Sequence, residues 1–384
     1  MKHSRKMSLA IAATAAVTAF ALAGCSSGPA ATDDDSPAGD GELTPVSLQL
    51  QWFSQAQFAG YYAALDQGFY KDAGLDVTIL EGAADIVPID VLASGDADYA
   101  ISWVPKVLGS IEAGTAVTDV AQIFERSATT QVSFKDKDIT TPADLAGKSV
   151  GSWGYGNEWE LFAGMGKAGV DVSDIDLVSQ AFDMTGLLAG DIDAAQAMTY
   201  NEYAQLLETV NPDTGELYTA DDFNVINWND EGTAMLQDAI WADADKLASD
   251  DAYADQTVAF IKASIQGWIY ARDNPEEAAQ IVADSGSQLP AGHQLWMTNE
   301  VNKLIWPSTS GIGTINEDQW AQTVDIALGT KNETGATVIT TDPPETAYSN
   351  EYVEKALKEL TDEGTDVLGA DFTPLEVTLK EGGE

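Results

Sequence analysis

Five of the ten tryptophans in this 384-residue sequence close short strand-like runs: Leu-Gln-Leu-Gln-Trp52, Tyr-Ala-Ile-Ser-Trp103, Ser-Val-Gly-Ser-Trp153, Asn-Val-Ile-Asn-Trp228 and Asp-Ala-Ile-Trp241. An indole offers a broad π face and a single N–H donor, and a good aromatic pair adds about 0.5–1.5 kcal/mol beyond the area it buries. Open α/β sheets take their ligands outside the carboxyl ends of their strands. Any one of these tryptophans could equally cap an apolar layer, but five in the same kind of position point to a cleft that stacks on a planar molecule. Tyr200-Asn201-Glu202 follows Met198 where a strand should hand over to a helix, and brings together a phenol, an amide and a carboxylate. Such a trio can read the donor and acceptor edge of a heterocycle. Gly154-Tyr155-Gly156-Asn157-Glu158 also follows a strand and opens a helix. Its amides suit a ligand oxygen, and a plain β-to-α turn accounts for it equally well. Asp66, Asp72 and Asp76 read as caps and surface charges.

These residues need strands and helices in alternation to position them, and the pattern supplies it. Strands are expected over 46–52, 76–80, 99–103 and 117–124, with helices over 57–67, 86–93 and 104–113. After Thr141-Pro142 a second series begins, with strands at 149–153, 177–179, 194–198 and 223–228 and helices at 158–167 and 200–208. A short strand at 239–241 returns the chain, and the remainder is mostly helical. Val258, Ile261, Ile265, Trp268 and Ile269 fall on one face of a helix, and Asn274-Pro275-Glu276-Glu277 starts the next. The expectation is an α/β protein of two doubly wound lobes, with 46–130 and 240–384 forming lobe I and 131–239 lobe II. Crossings near 127–137 and 232–242 would make a two-segment hinge.

The N-terminus sets the compartment. Lys2, Arg5 and Lys6 precede an apolar run from Leu9 to Leu22, shorter than the roughly 20 residues of a membrane span. Leu22-Ala23-Gly24-Cys25 resembles the bacterial lipobox. The resemblance implies a signal peptide over 1–24, acylation of Cys25, and an extracytoplasmic protein anchored by lipid to the outer face of the bacterial cell membrane. Residues 25–45 are rich in Ser, Gly, Pro, Ala and Asp and read as a flexible stalk. With the single cysteine consumed by lipid, no thiol is left for a disulfide, a metal or a nucleophile. Eighteen Lys and Arg against 62 Asp and Glu give a net charge of −44, which repels nucleic acid and reads otherwise as a solvated surface. Two histidines, His3 and His293, make no His-rich metal site. No cofactor is expected.

Gln51-Trp52, Ala56-Gln57-Phe58-Ala59-Gly60-Tyr61-Tyr62, Gly68-Phe69-Tyr70 and Gly74-Leu75-Asp76-Val77 resemble the opening of the NMT1/THI5-like solute-binding proteins. The likeness continues through Ser94-Gly95-Asp96-Ala97-Asp98, Thr141-Pro142-Ala143-Asp144-Leu145-Ala146-Gly147-Lys148 and Asp193-Ala194-Ala195. The aromatic opening and the Tyr-Asn-Glu block look like importers of thiamine pyrimidine precursors and of riboflavin. The resemblance implies a type II periplasmic-binding fold, here a monomer serving an ABC permease, closing by hinge motion on a small aromatic heterocycle. Trp52, Phe58, Tyr61, Trp103, Trp153, Tyr155, Asn157, Tyr200, Asn201 and Glu202 are the ligand contacts it suggests. A binder of nitrate, taurine or alkanesulfonate is the alternative, and would call for Lys or Arg in the cleft. The family also holds a pyrimidine synthase, whose lysine falls on Ser102 and whose histidine falls on Lys106. Its cysteine-rich motif has no counterpart here, so that enzyme cannot be built from these residues. No Ser-His-Asp, Cys-His or metal constellation supports another one.

Overall fold

The computed structural model describes residues 43–384, so Cys25, the signal segment and most of the expected stalk lie outside the described residues. Two five-stranded sheets organise the described chain. The first is built from β1 (Thr44–Gln49), β2 (Leu75–Leu80), β3 (Tyr99–Trp103) and β4 (Val117–Gln122). The second holds β5 (Thr129–Phe134), β6 (Ser149–Ser152), β7 (Asp176–Ser179), β8 (Ala194–Met198) and β9 (Phe223–Asn227), after which β10 (Asp238–Asp243) returns to the first. The orders are β2-β1-β3-β10-β4 and β7-β6-β8-β5-β9. Each sheet contains one antiparallel strand: β10 runs against β3 and β4, and β5 against β8 and β9. Those are the two strands the chain enters on crossing from one sheet to the other.

Several boundaries move from the expectation. β1 begins at Thr44, which pairs with Leu75, so the last residues given to the stalk belong to the sheet. Thr129 and Thr130 lie opposite Met198 and Ala197 in the second sheet, so lobe II starts before residue 131, and the crossing lies ahead of 129 instead of at 127–137. Likewise Asp238 and Ala239 pair with Trp103 and Ser102, which puts them in the first sheet. The second crossing is complete by 237.

The two crossing segments are bonded to each other. Asn229 Oδ1 accepts from the Ser127 amide at 3.1 Å and its Nδ2 donates to the Ser127 carbonyl at 2.7 Å. Gln237 accepts from the Ala128 amide at 2.9 Å and donates to the hydroxyls of Ser127 and Thr129 at 3.0 and 2.7 Å. Glu160, from the helix Trp159–Lys167, accepts from Ser127 Oγ and from the Met235 amide at 2.8 and 2.6 Å. Burial pushes its carboxyl up to about 8.

Behind the first sheet the helix Ala59–Asp66 packs on the 23-residue helix Asp251–Asp273. They meet at Gly60 and Gly267, where an added Cβ would run into Trp268 and into the Gly60 carbonyl. Glycine at both positions is what lets two backbones approach so closely. A stack of Tyr70, Phe260, Tyr99 and Tyr253 continues this core, with near-parallel rings 4.3–5.6 Å apart.

Candidate ligand-binding cavity

The carboxyl ends of β1, β2 and β3 face those of β6, β7 and β8 across a cavity of about 910 Å³, within the range that holds small ligands. The first sheet contributes Gln51, Trp52, Gln55, Gln57, Ser102, Trp103 and Lys106, and the loop 83–89 after β2 covers one side. The second contributes Trp153, Tyr155, Gly156, Asn157, Trp159, Phe182, Met198, Tyr200, Asn201 and Glu202. Of the expected contacts, Trp52, Trp103, Trp153, Tyr155, Asn157 and the Tyr200-Asn201-Glu202 block are thus brought together.

Phe58 and Tyr61 are not. Both are core residues, 0% and 1% exposed: Phe58 ends the short turn Ala56–Phe58 just ahead of the helix, and Tyr61 lies on the helix Ala59–Asp66, which packs closely on its partner at Gly60 and Gly267. Tyr61 stands edge-on to Trp268, with ring centroids 5.5 Å apart. Two of the five strand-closing tryptophans are core as well. Trp241 sits inside the antiparallel β10 and donates to the Ser102 carbonyl at 2.9 Å. Trp228 opens a short helix over 228–231 that packs on Gly164.

At the mouth, aromatic rings from both sheets touch. Trp52 lies 4.7 Å from Phe182, which in turn lies 6.0 Å from Trp153 with the planes 22° apart. Trp153 is 4% exposed, and its indole N–H meets no protein acceptor among the described residues. The residue lines the cavity while that nitrogen is itself enclosed, as are the indole nitrogens of Trp228, Trp268 and Trp306. The turn beneath it carries positive φ at Gly154, Tyr155 and Gly156, 68°, 53° and 86°. For Tyr155 that is an uncommon backbone state, and its side chain is 93% exposed.

The polar groups carry opposing charges. Glu202 accepts from the Met198 amide at 3.0 Å and from Asn201 Nδ2 at 2.8 Å. Burial pushes its carboxyl up to about 7, against the lowering effect of those bonds and of His293. His293 lies on the helix Ala291–Ile305 and contacts Asn201 Oδ1 through Nε2 at 3.0 Å and Glu208 through Nδ1 at 2.9 Å. Lys106 stands 4.6 Å from the centroid of the Trp103 ring. Burial lowers its pKa to about 8 although Asp238 and Glu158 pull the other way. Lys106, Trp159, Phe182 and the glutamines are cavity residues that the sequence pattern does not single out as contacts. Only the run Gln51, Gln55 and Gln57 at alternate or near-alternate positions after β1 offers a signal for them. Among the described residues no group of three or more His, Cys, Asp or Glu is arranged to hold a metal.

The profile of NMT1/THI5-like proteins matches residues 55–278, more than half of the chain. The chain belongs to the NMT1/THI5-like family. A formylaminopyrimidine-binding protein of Halalkalibacterium halodurans is 27% identical over 268 residues, 68% of this chain and 74% of that protein. The riboflavin-binding protein RibY of Chloroflexus aurantiacus is 24% identical, over 65% of this chain and 69% of its own length. In three dimensions the periplasmic aliphatic sulphonate-binding protein SsuA of Escherichia coli superposes with a TM-score of 0.56 at 15% identity, covering 89% of this chain and 95% of that one. The fold of this NMT1/THI5-like chain is therefore that of the periplasmic binding proteins, two α/β lobes joined by paired crossings. No helix among the described residues is long and apolar enough to cross a membrane.

Proposed function

We propose that the protein is the solute-binding component of an ABC importer and captures a flat nitrogen heterocycle of the aminopyrimidine or flavin type. The observation that carries this reading is the cavity itself, walled by indoles from both sheets and edged by a phenol, amides and a buried carboxylate. A heteroaromatic ring offers π faces to Trp52, Trp103 and Trp153, and an amino or ring N–H to Glu202. The names of the two relatives, one a pyrimidine binder and one a flavin binder, support it. Binding across both lobes favours their closed arrangement, and the closed arrangement is what a permease would recognise. The protein acts as a monomer outside the cytoplasm, held to the membrane through lipid on Cys25, and no covalent chemistry is assigned to it.

Lys106 is the one feature favouring an anion such as a sulfonate or nitrate. It is offset by Glu202 on the cavity wall and by Asp238 and Glu158, which lie behind the wall and act on Lys106, since like charge repels the anion. A thermal-shift screen with hydroxymethylpyrimidine, formylaminopyrimidine, riboflavin, taurine and nitrate separates the two readings. A ligand at a hundredfold excess over its Kd adds about 2.7 kcal/mol of stability. Stabilisation by taurine or nitrate and by none of the heterocycles would overturn the heterocycle reading. The anchor is tested apart: labelled fatty acid should enter the wild type and not Cys25→Ser, and equal labelling ends that part.

A further inference from the structure

Gln51, Gln55, Gln57 and Trp103 line the cavity, and the group that holds them lies behind. Asp238, 2% exposed, begins β10 and pairs with Trp103. Three N–H groups converge on its carboxylate: Gln51 Nε2 at 2.6 Å and Trp103 Nε1 at 2.8 Å on Oδ1, and Gln57 Nε2 at 2.9 Å on Oδ2. Gln57 Oε1 in turn accepts from Gln55 Nε2 at 2.8 Å. An ionised carboxylate only accepts hydrogen bonds. It therefore forces the amide nitrogens of Gln51 and Gln57 toward itself, the Gln57 oxygen toward Gln55, and the Gln55 nitrogen toward Gln57. Gln51 and Gln55 thus have their carbonyl oxygens turned away from Asp238 and Gln57, and each amide nitrogen keeps one further N–H.

We propose that Asp238 is a positioning residue that fixes which way the amides of the first wall face, presenting the carbonyl oxygens of Gln51 and Gln55 as acceptors for a ligand's N–H donors. The inference rests on the cavity being the ligand site, and assigns roles to residues outside the aromatic and Tyr-Asn-Glu features. A substitution that keeps the shape should reverse the relay. In Asp238→Asn the new oxygen must take the Oδ1 place, because the indole N–H of Trp103 has no second orientation. The new nitrogen then faces Gln57, which turns over, and Gln55 turns with it to bring Nε2 to the cavity. A proton on Oδ2 would do the same. Burial pushes this carboxyl up to about 7. The charged or titratable groups facing it are Lys106 from the helix Val104–Glu112, Tyr61 from the helix Ala59–Asp66, and Tyr200 from the second sheet.

The test uses two probes of one shape, 4-amino-5-hydroxymethyl-2-methylpyrimidine and its 4-methoxy counterpart, in which the donor is replaced by an acceptor. Calorimetry on the wild type should favour the amino probe by about tenfold or more, the worth of a donor matched against one left unpaired. Asp238→Asn should narrow that preference below about threefold or reverse it, and Gln55→Met, which leaves Asp238 and Gln57 in place, should narrow it as well. Equal weakening of both probes by Asp238→Asn overturns the inference. If the wild type binds neither probe, the aminopyrimidine reading falls, and the relay is judged without ligand by side-chain amide exchange in NMR. The Gln55 amide signals, identified by their loss in Gln55→Met, should exchange slowly in the wild type and fast in Asp238→Asn. Unchanged exchange refutes the relay. Should Asp238→Asn not fold, wild-type Gln55 exchange measured relative to a free side-chain amide at each pH from ~5 to ~8 takes its place: protection should be lost at low pH as the proton arrives, and protection independent of pH refutes the relay equally.

Discussion

The two walls of the cavity are built to different rules. On the first sheet, Trp103, Gln51 and Gln57 are tied to one buried carboxylate, so their orientations are fixed by bonds within the protein. On the second, the Trp153 N–H has no protein partner and Tyr155 projects from a left-handed turn. One wall is gathered on a single buried carboxylate, while on the other the polar groups bond to their own backbone neighbourhood and one enclosed indole N–H has no protein partner among the described residues. Polar groups that must discriminate are best preorganised.

That contrast can be broken experimentally. Trp103→Ala should give the largest effect, because it removes a nearly buried indole and one of the donors on Asp238. A stability loss of about 3–5 kcal/mol in chemical denaturation is expected, and a loss under about 1 kcal/mol would mean that the first wall is not tied in. Glu202→Gln should cost about 1.5–3 kcal/mol of affinity for the best heterocycle by calorimetry. Silence in binding would reduce Glu202 to a helix-end charge bonded to Met198 and Asn201. Trp153→Phe keeps the ring and deletes the unpartnered donor. Affinity should fall by up to about tenfold through the smaller stacking face while stability shifts by less than about 1 kcal/mol, the reverse of Trp103→Ala.

The smallest effect concerns pH. Glu202 and Asp238 have carboxyl pKa values raised in the folded protein. The folded state therefore holds their protons more tightly than the unfolded chain does. Their contribution to stability is fully present below the ordinary carboxylate range and is lost as pH rises through about 7. Glu202→Gln should flatten the fall in Tm between pH ~5 and ~8 relative to the wild type, and an unchanged slope would show that this carboxyl titrates normally.

How much the sequence discloses depends on distance along the chain. β3 and β8 are legible to the residue, since Tyr99-Ala-Ile-Ser-Trp103 and Ala194-Ala-Gln-Ala-Met198 combine β-compatible residues with turn signals on both sides. β5 escapes because Thr129, Thr130, Gln131 and Ser133 are polar yet buried. Gln131, for instance, bonds the Gly151 and Ala194 carbonyls, and no hydrophobic period betrays such a strand. Trp52, Trp103, Trp153 and the Tyr200 block announce themselves through their position at strand ends. Asp238 cannot, because its importance comes from Gln51, Gln57 and Trp103, which lie 187, 181 and 135 residues away. Phe58 and Tyr61 look like contacts because nothing in their own segment shows that Gly267 will draw the helix inward.

The bonds that tie residues 127–129 to Asn229 and Gln237 have a mechanical consequence. Two independent ribbons would let one lobe twist, shear or roll over the other. Ribbons stitched edge to edge by both faces of two amides resist sliding along their length and bend together about one line. In the proposed closure, opening would change the gap between the indole walls while preserving their lateral alignment, as the covers of a book part without slipping. A ligand's thickness would then be gauged by how far the covers shut, and its outline compared with a stencil whose two halves stay in register.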